Sequence, residues 1–461
     1  MPDRHVLVLA AGKGTRMKSS RPKVLHWLAG YPLIAHVLRA AESLGAKSTI
    51  VLVGHKADTI EHALTTFDKP LRFIRQPQQL GTAHALLQAE ATLKDKTGTL
   101  IVLSGDTPLI SAHTLRTLAE THERSSAAMT VLTATIERPY GYGRILRHKG
   151  QLLSVVEEVD ATPDQRAIRE VNSGTYAFDL AHLFATLQDI PEAGVKNERY
   201  LPATLALYRR QQRKVASVVA DNPYEILGIN SQSELAEVSS IVRQRKNEEL
   251  MAAGVTIDDP ATTYIDIDVL VGPDTVIHPG VFLEGNTVIG ARCELHAGVR
   301  IVDTNVADDV TINNHTVIIA SSIKSKAHVG PFAHIRPGST VGEKARVGNF
   351  VELKKSNIGT GSKANHLSYV GDANIGPGVN IGAGTITCNY DGTNKYQTTV
   401  ESDVFIGSGT ELVAPVTIGQ GAYVAAGSCI TEDVPAGALA LARSRQINKE
   451  NRTEKVRKKA D

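Results

Sequence analysis

Two stretches of this 461-residue sequence gather residues that can do chemistry. The first is Leu9-Ala10-Ala11-Gly12-Lys13-Gly14-Thr15-Arg16, followed by Pro22-Lys23. Its two glycines leave backbone N–H groups free to face a phosphate, and Lys13, Arg16 and Lys23 add positive charge. No Gly-Lys-Ser/Thr ends it, so it is not a Walker A loop, and Met17 replaces the third glycine of a dinucleotide fingerprint. Further on, Ser104-Gly105-Asp106 closes an apolar run. Alone, Asp106 is a turn former before Pro108; beside a phosphate loop, its carboxylate is a natural Mg2+ ligand. The second stretch is C-terminal. Arg336, Lys354 and Lys395 make a phosphate-friendly set, and His366 offers an imidazole able to accept a proton from an attacking amine.

The elements that must position these residues differ between the two halves. From Val271 an aliphatic recurs every sixth residue: Ile277, Leu283, Ile289, Leu295, Ile301. The pattern slips by one at Val306, runs on through Ile312 to Ile381, breaks at Thr385–Thr399, and returns from Val400 to Ile430. Neither a helix (period about 3.6) nor a plain alternating strand has this spacing. Short strands separated by tight turns do, with glycines such as Gly272, Gly290 and Gly348 serving turns or crowded backbone. Such repeats must stack to bury their apolar face. The pattern resembles the hexapeptide-repeat, left-handed parallel β-helix family, and the break at Thr385–Thr399 is a candidate functional loop.

Residues 1–230 instead alternate strand-like runs (His5–Ala10, Thr49–Val53, Leu100–Ser104) with a helical one at Ile34–Leu44. That order predicts an α/β domain, Rossmann-like with a mainly parallel sheet, whose ligands sit beyond the carboxyl ends of its strands. The sequence divides into this domain, a helical linker at 231–253, a β-helix at 254–446 and a basic tail at 447–461. A net charge of +2 gives no general argument for nucleic acid. Three scattered cysteines without metal-ligand spacing point to a reducing cytoplasm. No run approaches the roughly 20 apolar residues of a membrane span, and no signal segment is read at the N-terminus.

The Leu9–Arg16 loop with Pro22-Lys23-Val24-Leu25 resembles the signature of sugar-nucleotide pyrophosphorylases. That resemblance implies that Leu9, Ala10, Ala11, Gly12 and Lys23 hold a nucleoside triphosphate, with Arg16 at its phosphates. It also implies that Gln76, Gly81 and Thr82 read uracil, that Ser104, Gly105 and Asp106 complete the pocket, and that Asp106 and Asn230 hold Mg2+. A Gln amide has both the donor and the acceptor a uracil edge needs, whereas His84 reads as packing at a helix start. Tyr140–Ile145, Val155–Glu158 and Glu170–Gly174 resemble the sugar-contacting segments of N-acetylglucosamine-1-phosphate uridyltransferases, which puts Gly143, Glu157 and Asn172 on the sugar. Two positions depart from that pattern: Val159 stands for a Lys, and Pro202-Ala203 for a Thr-Asp pair.

The segment Asn365-His366-Leu367-Ser368-Tyr369 and the Asn389–Lys395 insertion resemble the acetyltransferase half of the same bifunctional family, glucosamine-1-phosphate N-acetyltransferase. By that resemblance His366 is the general base. Arg336, Lys354, Tyr369, Asn380 and Lys395 bind the sugar phosphate, and Ala383, Asn389, Tyr390, Ser408, Ala426 and Arg443 contact acetyl-CoA. The family joins both reactions, acetylating glucosamine-1-phosphate and coupling the product to UMP from UTP, to make the precursor of bacterial wall and outer-membrane glycans. It also implies a homotrimer with no membrane insertion. Two other readings are a different sugar-1-phosphate nucleotidyltransferase with a shorter β-helix, which leaves His366–Tyr369 unexplained, and a non-catalytic assembly subunit, against which intact Lys23, Asp106 and His366 argue.

Overall fold

The computed structural model describes residues 2–67, 69–192 and 198–453. The chain divides into two compact units, residues 1–242 and 243–461. The boundary falls inside a single helix, Gln232–Ala252. That helix ends in a Schellman motif: Gly254 adopts a φ of 95°, its N–H bonds the Met251 carbonyl, and the Val255 N–H bonds Leu250. The basic tail read at 447–461 lies outside the described residues from 454 onward.

The first unit is built on one mixed sheet. Its strands run in the order Val215–Val219, Met129–Thr135, Glu170–Asp179, Thr99–Ser104, Arg4–Ala10, Ser48–Val53 and Arg72–Arg75. All these pairings are parallel except those of Glu170–Asp179, which runs antiparallel to both neighbours. The strand at Arg4–Ala10 is central and buried on both faces, which is why its sequence is a continuous apolar run rather than an alternation. Leu33–Glu42 and Ala112–Ser125 cover one face. The carboxyl ends of Arg4–Ala10 and Thr99–Ser104 lie side by side, so the phosphate loop and Asp106 emerge together; the Gly105 N–H bonds the Leu9 carbonyl at 2.9 Å.

The second unit is a three-faced parallel β-helix, its strands falling into sheets of 11, 10 and 9. Up to the last coil each strand pairs with the third one after it, as Val276–Ile277 does with Glu294–Leu295 and then Thr311–Ile312. A change from 18- to 17-residue coils produces the slip seen at Val306. Apart from half-buried Val271, the aliphatics of the six-residue pattern point inward and are at most 5% exposed. A second inward position lies two residues earlier and takes small side chains: Thr275, Thr287, Cys293, Thr304, Thr316. The Thr275, Thr287 and Thr304 hydroxyls accept from backbone N–H groups of the next coil, as Thr275 Oγ1 does from Cys293 at 3.0 Å. Cys293 is therefore a core residue.

The choice between turn and crowded backbone for the glycines is decided by the structure, and the bounds of the break are revised. The left-handed turn residue lies three positions before each aliphatic, and Asp274, Arg292, Asp309 and Phe332 fill it as well as Gly280 does. The glycines following the aliphatics serve close approach instead: a Cβ on Gly348 would stand 2.0 Å from the Asn365 carbonyl oxygen of the next coil. The break is also shorter than Thr385–Thr399, because Ile386–Cys388 and Thr398–Val400 are ladder strands. Thr387, 2% exposed, holds the inward place, with its hydroxyl donating to the Gly371 carbonyl at 3.0 Å. Only residues 389–397 leave the prism. No helix among the described residues is long and apolar enough to cross a membrane.

Candidate active sites

In the first unit a cavity of about 300 Å3 opens at the carboxyl ends of the central strands. Leu9, Ala10, Ala11, Gly12, Lys23, Gln76, Gly81, Thr82, Ser104 and Asp106 all line it. Gly14 starts a short 3-10 turn with φ 60°, and a Cβ there would stand 2.7 Å from Lys23 Cβ, so the loop can fold over Lys23 only with glycine. Gly12 is different: no heavy atom stands within 4 Å of where its Cβ would be. The space over its backbone is open cavity, the requirement for a phosphate cradle. Lys13 and Arg16 are exposed, and neither makes an ion pair among the described residues. Arg16 does not line the cavity.

Lys23 reaches across the cavity floor. Its Nζ forms an ion pair with Asp106 and donates to Asn230 Oδ1 at 3.0 Å. Asn230 is brought there by the backbone bond from Ile229 N to the Asp106 carbonyl, 2.9 Å, and by Glu234 Oε2, which accepts from the Asn230 N–H at 2.5 Å. A carboxylate oxygen and an amide oxygen thus converge on one cation. Such a hard-oxygen pair is the donor chemistry that suits Mg2+.

Gln76 is buried, and its Nε2 bonds His84 Nδ1 at 3.0 Å. His84 therefore helps to aim Gln76 from the first turn of Thr82–Leu87. Glu198 and Tyr200 also line the cavity; the sequence reading met them only in the segment that departs from the family pattern at Pro202-Ala203 and gave them no site role. The Gly81–Thr82 backbone is laced to their segment: Ala83 N bonds the Arg199 carbonyl and Leu201 N bonds Thr82 Oγ1, each at 2.9 Å. A Cβ on Gly81 would stand 2.4 Å from the Arg199 carbonyl oxygen. Nothing local in the sequence signals a contact across more than a hundred residues.

Gly143, Glu157 and Asn172 form a second group, outside the lining of that cavity. The Asn172 N–H bonds the Gly143 carbonyl at 2.9 Å, its amide donates to Tyr176 Oη at 2.7 Å, and a Cβ on Gly143 would lie 3.5 Å from the Glu157 carboxylate. Burial pushes the Glu157 carboxyl above its ordinary value, with Asp160 adding to the rise. Of the two departures, Val159 is 82% exposed, whereas Ala203 packs against an apolar cluster.

In the β-helix the candidate residues gather along the edge between two faces, with His366 and Asn380 on strands of the 11-stranded sheet and Lys354 and Tyr369 on strands of the 10-stranded one. His366 is exposed, and its Nδ1 lies 2.8 Å from Asn349 Oδ1, its register partner one coil earlier. An amide oxygen only accepts, so Nδ1 carries the proton and Nε2 is left bare. The same register carries on from His366 to Ala383, Ser408 and Ala426, because Lys363 pairs with Asn380, Asn380 with Phe405 and Phe405 with Tyr423. Three expected acyl-CoA contacts therefore form one column with His366, and Arg443 borders its end beside Gly427.

The cations lie along the same edge. Arg336 donates to Glu352 at 2.7 Å, and Lys354 to Asp372 at 3.3 Å. The neighbouring Lys354 draws the Lys395 pKa below its ordinary value. Two crowded ammonium groups favour an arriving dianion. Asn389 is buried and donates to Asp372 and, at 3.5 Å, to Tyr369 Oη. Behind it Asp391 caps the excursion by accepting from the Thr393 and Asn394 N–H groups, and Tyr390 bridges Lys395. Burial pushes the Cys388 thiol up, away from the thiolate a nucleophile needs. The sequence reading missed the partners Asn349, Glu352 and Asp372. The coil length could have found each, since each lies 16 to 18 residues from the side chain it meets.

Fold and sites together define a nucleotidyltransferase joined to a hexapeptide-repeat acyltransferase. Comparisons with known proteins agree. Residues 6–253 match the MobA-like NTP transferase domain, and residues 265–335 match the GMPPB C-terminal domain. The bifunctional protein GlmU of Shouchella clausii is 47% identical over 456 residues, covering 99% of this chain and all of its own. That of Heliobacterium modesticaldum is 49% identical, covering 98% of each. A solved UDP-glucose pyrophosphorylase complexed with UDP-glucose aligns with 53% of this chain and 99% of its own at 19% identity, TM-score 0.44. The chain belongs to the bifunctional GlmU family.

Proposed function

We propose how the two activities of this bifunctional uridylyltransferase and N-acetyltransferase are divided among its residues. In the β-helix, His366 Nε2 takes a proton from the amine of glucosamine-1-phosphate as the amine nitrogen bonds the thioester carbonyl carbon of acetyl-CoA. The C–S bond then breaks and CoA leaves as the thiol. Arg336, Lys354, Tyr369, Asn380 and Lys395 hold the sugar phosphate. Ala383, Asn389, Tyr390, Ser408, Ala426 and Arg443 line the path of acetyl-CoA, with the Ala383 N–H facing the developing oxyanion. The observation that carries this half is the His366–Asn349 bond, which leaves a bare nitrogen at the head of the column formed by Ala383, Ser408 and Ala426.

In the first unit, a phosphate oxygen of N-acetylglucosamine-1-phosphate attacks the α-phosphorus of UTP, and the bond to the departing pyrophosphate breaks. Leu9, Ala10, Ala11 and Gly12 cradle the triphosphate, Gln76 with Gly81 and Thr82 reads uracil, and Ser104 and Gly105 close the pocket. Gly143, Glu157 and Asn172 receive the sugar. Arg16 and Lys23 place positive charge at the phosphates, and the attacking oxygen, already ionised, needs no side-chain base. Mg2+, held by Asp106 and Asn230, supplies further neutralisation of phosphate charge when bound. The supporting observation is the convergence of the Asp106 and Asn230 oxygens on Lys23.

The reading extends to a cytoplasmic homotrimer. In its support, Phe332, Phe350 and Leu367 form an exposed ridge at left-handed turn positions, with Phe332 and Phe350 stacked at 5.5 Å. Bulky residues in that conformation cost about 1–2 kcal/mol each, and the ridge borders His366. Separate assays of the half-reactions test the division of labour. His366→Ala should lose acetyl transfer by roughly 10²–10⁴-fold and keep uridylyl transfer, and Asp106→Ala should do the reverse. Loss of both activities in either folded variant would overturn it.

A further inference from the structure

Away from both sites, the first coils of the β-helix carry an outward ladder of metal-ligating side chains. Ile257 pairs with Ile277 and Ile277 with Leu295, so the following residues, Asp258, His278 and His296, stand in register on successive coils. The two imidazoles stack with centroids 4.8 Å apart and planes 12° apart. Glu294 sends its carboxylate to their edge: Oε1 lies 3.4 Å from His278 Nε2 and 3.5 Å from His296 Nε2. One ligand atom from each of the three residues falls within a 4.8 Å set.

These separations are long for charge-assisted hydrogen bonds, which run about 2.7–2.9 Å. The two Glu294 separations match the about 3.3–3.4 Å at which tetrahedral Zn2+, with bonds of about 2.0–2.1 Å, spaces its ligands, and all three donor atoms lie within 4.8 Å of one another. The second sphere is also in place. Asp258 Oδ2 lies 2.7 Å from His278 Nδ1. Nδ1–H donates to that carboxylate while Nε2 faces Glu294, which leaves Nε2 as the nitrogen a metal would take, the carboxylate–histidine–metal arrangement that raises ligand basicity. Both imidazoles are 28% exposed and Glu294 is 49% exposed, so solvent can supply a fourth ligand.

We propose that His278, Glu294 and His296 bind a divalent transition metal of the Zn2+ class, oriented by Asp258. Two nitrogen donors exclude the hard-oxygen preference of Mg2+ and Ca2+, which separates this site from Asp106 and Asn230. The metal clips two successive coils and acts as a staple for the start of the helix.

Titration of the full-length protein with ZnCl2, followed by calorimetry, tests the site, with CoCl2 as a spectroscopic probe. The wild type should bind one equivalent of Zn2+ that the His278→Asn/His296→Asn double variant lacks. Asparagine suits this column, where Asn313 continues it on the next coil. Cobalt should give the visible bands of a four-coordinate site, bleached by Zn2+, and Asp258→Asn should weaken binding roughly 10- to 100-fold. Glu294→Gln gives the same reading should the double variant not fold. Equal stoichiometry and affinity in the wild type and the folded variant, or no Zn2+ binding by the wild type, would overturn the proposal.

Discussion

The Asn349 amide oxygen decides which nitrogen of His366 stays bare. Without it the ring can take either tautomer and turn freely on an exposed strand end. Asn349→Ala should therefore lower kcat for acetyl transfer by roughly 10–100-fold with little change in KM, because proton transfer depends on aim and sugar binding does not. A rise in KM with kcat intact, in steady-state assays, would make Asn349 a binding residue instead. At this scale the sequence shows which side chains have the right chemistry. It does not show their neutral or oppositely charged partners. Asn349, Glu352 and Asp372 carry no motif of their own and acquire meaning only through the coil length. Glu198 and Tyr200 match part of a family pattern, but their place in the lining of the first cavity depends on backbone bonds between Arg199 and the Leu80–Ala83 segment that the pattern does not announce.

At the scale of elements, the inward aliphatics were legible because each coil repeats the same burial demand. The small residues two positions earlier and Thr387 were not, since a polar type at an inward site looks like a break until its hydroxyl is seen bonding the neighbouring coil. The antiparallel course of Glu170–Asp179 was equally hidden, because side-chain type does not encode strand direction. Glycine roles separate only in three dimensions. Gly348→Ala forces a Cβ to 2.0 Å from the Asn365 carbonyl oxygen. The coils bearing Asn349 and His366 must part, at a cost of about 1–3 kcal/mol. Gly361, with φ 70° and nothing within 4 Å of its would-be Cβ, should accept asparagine for a few tenths of that. Thermal melts of the two variants measure the contrast. Equal stability would mean that coil spacing is softer than close packing allows.

For the whole molecule, the proposed trimer would place the exposed ridge of Phe332, Phe350 and Leu367 beside His366 in its interface, so assembly should affect acetyl transfer and not uridylyl transfer. Phe350→Asp removes an apolar ring while leaving a residue that tolerates the left-handed turn. Sedimentation should show three copies for the wild type and fewer for the variant, with acetyl transfer reduced and uridylyl transfer kept. An intact trimer with full activity would remove the ridge from the interface. The most direct test of the central claim is one incubation of the purified protein with glucosamine-1-phosphate, acetyl-CoA, UTP and Mg2+, with products identified by mass spectrometry. The two sites together should yield UDP-N-acetylglucosamine, pyrophosphate and free CoA. Accumulation of N-acetylglucosamine-1-phosphate without the nucleotide sugar would contradict the uridylyl assignment, and unacetylated sugar phosphate with unspent acetyl-CoA would contradict the other half.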